Sequence, residues 1–76
     1  MAKAESPVAV ARRHVVDAER RVARQKRLIE TMERDRHMSM AANGRKVLSV
    51  LEESLRLARV HLELERKHYG DGEEES

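Results

Sequence analysis

The first half of the chain carries apolar residues at a seven-residue spacing, and this repeat limits the possible folds more than any other feature. Two adjacent lines of positions follow it: Val8, Val15, Val22 and Ile29 on one, and Ala11, Ala18, Gln25 and Met32 on the other. A β-strand would need an alternation with period two, which these residues do not have. The repeat therefore predicts a long α-helix with one apolar seam for a neighbouring helix.

The second half repeats the pattern with larger side chains. Its seam consists of Leu48, Leu51, Leu55, Ala58, Leu62 and Tyr69, and Glu65 interrupts it. Further apolar residues lie just beyond this seam, namely Val47, Val50, Leu57 and Leu64. Together they cover roughly 160° of the helix, whereas a stripe of about 100° suffices for packing on one neighbour. The second helix is therefore expected to contact another partner in addition to the first helix.

The helix boundaries follow from local chemistry. Ser6 can cap the first turn of helix 1, and Pro7 suits the first helical position because its missing N–H costs nothing there. Two places compete for the turn: residues 36–38, before a possible N-cap at Ser39, and Asn43-Gly44. We favour 36–38, which gives helix 1 over 7–35 and helix 2 over 39–69. Gly44 is then a weak spot in helix 2, costing about 1 kcal/mol relative to Ala.

The short length of the chain predicts self-association. A domain of 76 residues buries only about 60% of the surface that its unfolded chain exposes. The chain contains no Cys, Trp or Phe, so neither disulfides nor large aromatic rings add stability. We therefore predict an all-α fold, an antiparallel two-helix hairpin over residues 1–69 that pairs with a second copy as a four-helix bundle.

The sequence also predicts the cellular location of the protein and the behaviour of its C-terminal residues. The N-terminus lacks the basic and apolar regions of a signal peptide, and no stretch approaches the roughly 18–20 apolar residues of a membrane span. We therefore expect a cytoplasmic protein that does not bind membranes. Residues 70–76, Gly-Asp-Gly-Glu-Glu-Glu-Ser, are expected to form a disordered acidic tail.

Four stretches carry a resemblance to known sequences: Arg20-Arg21-Val22-Ala23-Arg24-Gln25, Leu28-Ile29, Arg34-Asp35-Arg36-His37 and Leu51-Glu52-Glu53-Ser54-Leu55-Arg56-Leu57-Ala58-Arg59-Val60-His61-Leu62. They resemble small helical-hairpin proteins of alphaproteobacteria whose function is unknown. The resemblance covers residues 14–66 and implies a turn just after His37. It departs at Arg36, where that family often has Gly or Asn. It implies no activity and no functional residues.

Three helical histidines form the only pattern that suggests a metal. Spacings of four and three place His61, Glu65 and His68 on one face of helix 2, and His14 of helix 1 is expected at the height of His61. Four N/O ligands would suit Zn²⁺. The competing interpretation, which we favour, is that these residues border the seam without a ligand. No cofactor is therefore expected.

A line of arginines marks the outer side of helix 1. Arg13, Arg20, Arg27 and Arg34 recur every seven residues, and Arg24 lies beside them. Such a line could follow the phosphates of a nucleic acid. However, Asp17, Glu30 and Glu33 are close enough to pair with it, and no aromatic residue is available for stacking on bases. A solvated face is the interpretation we favour, so a nucleic-acid partner is not expected.

The sequence therefore favours a small protein–protein interaction or adaptor module that acts through helical faces. We expect its partner to be a second copy or another helical protein, with Val50, Leu57 and Leu64 as the self-association residues. A nucleic-acid-associated protein is the alternative, and a metal-binding helical bundle is third. No phosphate loop, Cys nucleophile or Ser-His-acid spacing is present, so we do not expect an enzyme.

Overall fold

The computed structural model describes residues 5–69, which form two α-helices and no strand. Helix α1 spans Pro7–Arg34 and helix α2 spans Met38–Tyr69. Ion pairs across the two helices join Glu33 to Arg45 near the turn and Glu19 to Arg59 farther from it, so the helices run antiparallel. The predicted all-α, two-helix hairpin is confirmed. The predicted acidic tail, residues 70–76, lies outside the described residues.

Neither helix is long and apolar enough to cross a membrane, as far as the structure describes the chain.

Helix α1 begins as its sequence predicts. The side-chain oxygen of Ser6 accepts a hydrogen bond from the backbone N–H of Ala9 at 3.1 Å, and the backbone oxygen of Ser6 accepts from Val10 at 3.0 Å. Pro7 occupies the first turn, where no backbone donor is needed. Ser6 therefore satisfies donors that the start of a helix leaves free.

The turn consists of Asp35, Arg36 and His37, one residue earlier than the predicted 36–38. His37 donates its N–H to the oxygen of Met32 at 2.8 Å, and Arg36 donates to Glu33 at 3.1 Å. These two bonds are those of a Schellman motif, whose C′ residue adopts a left-handed conformation. Arg36 fills that position with φ 63°, although glycine would fit it without a steric cost.

The start of α2 corrects the prediction that Ser39 is an N-cap. The helix already includes Met38, and the backbone oxygen of His37 accepts the N–H of Ala41 at 2.9 Å. Ser39 therefore lies inside the first turn. The Schellman motif at the end of α1 explains the shift, because it leaves His37 as the residue that precedes the new helix. Asn43-Gly44, the competing turn, lies within α2.

The core lies between the two seams. Helix α1 contributes the buried residues Val8, Ala11, Val15, Ala18, Val22 and Ile29. Helix α2 contributes the buried residues Ala41, Gly44 and Leu55. Four further residues of α2, namely Leu48, Leu51, Ala58 and Leu62, are only partly buried and pack against the cluster of Val15, Ala18, Val22 and Leu55. Tyr69, predicted as the last seam residue, is instead 44% exposed.

Gly44 lies where the two helices are in close contact, which the sequence did not predict. A Cβ atom at this position would stand 3.0 Å from Cγ1 of Ile29 and 3.4 Å from Nε2 of Gln25. The same Gln25 nitrogen donates a hydrogen bond to the backbone oxygen of Gly44 at 3.0 Å. The polar residue in the seam of α1 therefore has a specific partner, and the absence of a side chain at Gly44 lets α2 approach it.

Candidate interaction surface

Three apolar side chains form a line along the outer side of α2, which we call the apolar strip. They are the predicted self-association residues, Val50, Leu57 and Leu64, and they are 66%, 52% and 58% exposed. Because they are seven residues apart, they lie above one another on the helix. They are two residues beyond the seam positions Leu48, Leu55 and Leu62, so α1 cannot cover them.

Each helix also carries a large exposed apolar side chain next to its seam. Val47 of α2 is 48% exposed, and Leu28 of α1 is 44% exposed. The heptad pattern placed Val47 just beyond the seam. Leu28 was not assigned to any site, because the other residues of its heptad line in α1 are Pro7, His14 and Arg21. The one available signal was a single large apolar residue on that line.

Ion pairs close the hairpin along one edge, which we call the charged edge. Arg45 of α2 donates to a carboxylate oxygen of Glu33 at 2.6 Å, and Arg59 donates to Glu19 at 3.1 Å. Both partners in each pair remain about half exposed. Exposed pairs of this kind contribute about 0–1 kcal/mol, so they specify the alignment of the helices more than they stabilise it.

An open groove of ≈ 570 Å³ follows the charged edge between the two ion pairs. Val22 and Leu55 form part of its lining, together with charged side chains from both helices. One of these, Arg56, donates two hydrogen bonds to Glu53, at 3.0 and 2.5 Å. This interaction lowers the pKa of Glu53, chiefly through the hydrogen bond. The groove therefore combines an apolar lining with a salt-bridged rim, and it brings together no set of catalytic groups.

The predicted phosphate-binding line is an exposed row on α1, opposite the core. Its members are Arg13, Arg20, Arg24, Arg27 and Arg34. Arg13 donates to Glu5, and this hydrogen bond raises the pKa of the Arg13 guanidinium. Arg20 lies 3.9 Å from Asp17. Two of the five arginines therefore already have acidic partners, which reduces the positive charge available to a phosphate backbone.

The structure does not assemble the four predicted metal ligands. Nε2 of His61 lies 3.5 Å from Oε1 of Glu65 on its own helix, and the ring of His68 packs edge-on against Tyr69 with centroids 4.6 Å apart. His14 is exposed. Within residues 5–69, no three His, Asp or Glu side chains are arranged to hold a metal ion.

In comparisons with known proteins, no family model, no curated protein and no solved structure matches this chain.

Proposed function

We propose that this protein is a small interaction module that acts through helical faces, and that its immediate partner is a second copy of the same hairpin in a four-helix bundle. The observation that carries the proposal is the apolar strip on α2. Three bulky apolar side chains in one row, each more than half exposed, are the kind of surface that a soluble monomer rarely presents and that a partner helix buries.

The small core of a single hairpin also favours a partner that adds stability. The only large side chain of α2 that is buried is that of Leu55, and the largest side chain that is buried completely is that of Val8. Small domains with so little buried surface usually depend on disulfides, metals or oligomerisation. The chain has no cysteine, and within residues 5–69 no three His, Asp or Glu side chains are arranged to hold a metal ion. Self-association therefore explains the stability of the fold better than a transient partner does.

The strip alone does not account for a stable dimer. Burying the exposed half of each strip residue would gain roughly 1 kcal/mol, so two strips that pack on each other would gain about 6 kcal/mol. Association costs an estimated 4–15 kcal/mol in lost translation and rotation. The interface of a stable dimer must therefore include more apolar surface than Val50, Leu57 and Leu64 supply.

The proposal is tested by measuring molecular mass with light scattering and sedimentation equilibrium over a range of concentrations. The parent protein should be dimeric at roughly tens of micromolar, and Leu57→Lys should be monomeric because it places a charge in a dry contact. The variant should also lose helicity, and its Tm should no longer depend on concentration. Val16→Lys is the matched control, because Val16 is an exposed apolar residue of α1 and should leave the dimer intact.

Two outcomes would contradict the proposal. A parent that is already monomeric at those concentrations contradicts self-association itself, whereas a Leu57→Lys variant that keeps the mass of the dimer contradicts self-association through the apolar strip. In the second case the strip would contact something other than a second copy. A different helical protein would then be the occupant to seek, because an apolar seam on a helix can serve either kind of partner.

A further inference from the structure

We infer that the second copy docks on a surface formed by both helices, in which Leu28 of α1 and Val47 of α2 extend the apolar strip. This inference rests on the proposed self-association and specifies which side of the hairpin is used. The docking surface would be the edge opposite the charged edge. It would contain Leu28, Val47 and the strip, and we call it the open edge.

The ion pairs identify the two edges of the hairpin. Glu19 and Glu33 of α1 reach Arg59 and Arg45 of α2, so the heptad lines through these four residues lie along the charged edge. On α1 the core line through Ile29 separates that edge from the line through Leu28. Leu28 therefore lies on the other edge.

The same geometry places Val47 on the open edge. Arg45 lies on the charged edge, and Val47 and Leu48 follow it by two and three residues. Leu48 packs toward the core, so Val47, one residue before it in a helix of 3.6 residues per turn, falls on the side away from Arg45. Val50 and Leu57 lie next to that line, so Val47 is continuous with the apolar strip.

Leu28 and Val47 also lie at similar heights along the hairpin. The side chain of Ile29 reaches the position of Gly44. Leu28 directly precedes Ile29, and Val47 follows Gly44 by less than one helical turn. Both residues are nearly half exposed. An apolar surface therefore continues from α2 across to α1 in the half of the hairpin that is nearer the turn.

The area of the open edge suits a stable dimer better than one helix does. A helix of 32 residues is about 48 Å long and about 10 Å wide, so two helices side by side present a face of roughly 900 Å². A standard interface uses about 800 Å² of each partner. One helix alone offers roughly half of that face. Arg21 lies on the α1 side of the open edge, where its aliphatic stem can line the contact while the guanidinium stays at the rim.

Thiol labelling of single-cysteine variants tests the inference, because the parent has no cysteine and each variant therefore reports one position. The test pair is Leu28→Cys and Val47→Cys. The controls are Val16→Cys and Ala23→Cys, on the side of α1 away from the open edge; both parent residues are apolar and exposed. If only the monomer exposes the test thiols, a sample that is about 90% dimeric should label them roughly tenfold more slowly than a dilute sample. The control thiols should label at the same rate in both samples.

A second variant measures the same contact without labelling. Leu28→Lys should weaken dimerisation at least about tenfold in sedimentation equilibrium, whereas Val16→Lys should change it little. Unprotected Leu28→Cys, together with a Leu28→Lys variant that dimerises normally, would overturn the inference while the dimer itself still stands. A monomeric parent would overturn self-association as well, and its mass identifies that outcome separately.

Discussion

The two helices use their apolar residues in opposite ways. Helix α1 has 28 residues and buries six of them, whereas α2 has 32 residues and buries only three. The large apolar residues that remain exposed show the reverse distribution. In α1 they are Val16 and Leu28, and in α2 they are Met38, Met40, Val47, Val50, Leu57, Val60, Leu64 and Tyr69.

This difference shows that the contact between the two helices covers most of the large apolar residues of α1 but few of those of α2. The seam of α1 consists of small and medium side chains that α2 covers, and the opposite side carries the arginine line. Helix α2 covers α1 with close contacts at Ala41 and Gly44 and with a few leucines, and its remaining leucines and valines face outward. A chain of independent hairpins would have no need for so many apolar residues on that side.

The largest expected effect comes from one substitution made at two positions of α2. Leu55→Ala removes a buried side chain and should lower the free energy of unfolding by about 2–5 kcal/mol at any protein concentration. Leu57→Ala should be nearly neutral in dilute solution and should cost about 2 kcal/mol where the protein is dimeric. Chemical denaturation at two widely separated concentrations measures both variants.

How the effect of each substitution depends on protein concentration distinguishes the inner side of α2 from its outer side. If Leu57→Ala has the same small effect at both concentrations, the outer side of α2 is simply solvated. If Leu55→Ala also becomes mild on dilution, the single hairpin is unfolded without its partner, and the difference between the inside and the outside of α2 disappears.

The second expected effect concerns the inner side of α2, where Gly44 meets Ile29. Gly44→Ala gains about 1 kcal/mol in helix propensity, but its Cβ would lie 3.0 Å from Cγ1 of Ile29. We expect little net change in the parent and the full gain in the Ile29→Ala background, a coupling of about 1 kcal/mol in a double-mutant cycle. Asn43→Ala, at the exposed neighbouring position, should be additive with Ile29→Ala. Equal effects of Gly44→Ala in both backgrounds would mean that the helices are not in close contact here.

Gly44 also illustrates how far the sequence could predict the fold. The heptad lines and the turn are local, so the lines identified both helices and the residues of α1 that become buried, and the short turn identified their antiparallel pairing. The distance between two helices depends on side chains far apart in the sequence. The proximity of Ile29 and Gln25 to Gly44 therefore could not be recognised, and the glycine was interpreted as a weak spot.

The candidate interaction surface was likewise predicted only in part from the sequence. Helical spacing predicted that Val50, Leu57 and Leu64 share one line, and the structure leaves all three exposed. Leu28 was missed because its place depends on which edge the ion pairs occupy, and several pairings of charges were compatible with the sequence. The N-cap at Ser39 was wrong because the Schellman bonds of Arg36 and His37 set the start of α2, and nothing in Ser39 itself reveals them.

A smaller effect is expected at the turn, which both helices share. Arg36 has φ 63°, a conformation that costs a residue with a side chain about 1–2 kcal/mol. Arg36→Gly should therefore raise the free energy of unfolding by about 0.5–1 kcal/mol after the larger entropy of unfolded glycine is subtracted. Unlike Leu57→Ala, it should act equally at low and high concentration. Arg36→Ala, which removes the side chain but keeps the Cβ, should not stabilise; if it does, the left-handed conformation is not the source of the gain.

The smallest expected effect is on the outer side of α1. The arginine line has the spacing of a phosphate-binding row, but Glu5 and Asp17 already pair with Arg13 and Arg20. The few remaining contacts are sequence-independent and weaken steeply with salt. Fluorescence anisotropy with a short DNA duplex at about 150 mM salt should therefore detect no binding at micromolar protein. Binding at that level, lost in Arg27→Gln but retained in Leu57→Lys, would mean that the outer side of α1, and not that of α2, is the functional surface. If the arginine line is only solvated, Arg27→Gln should have the same mass and helicity as the parent. Its free energy of unfolding should agree with that of the parent within about 0.5 kcal/mol.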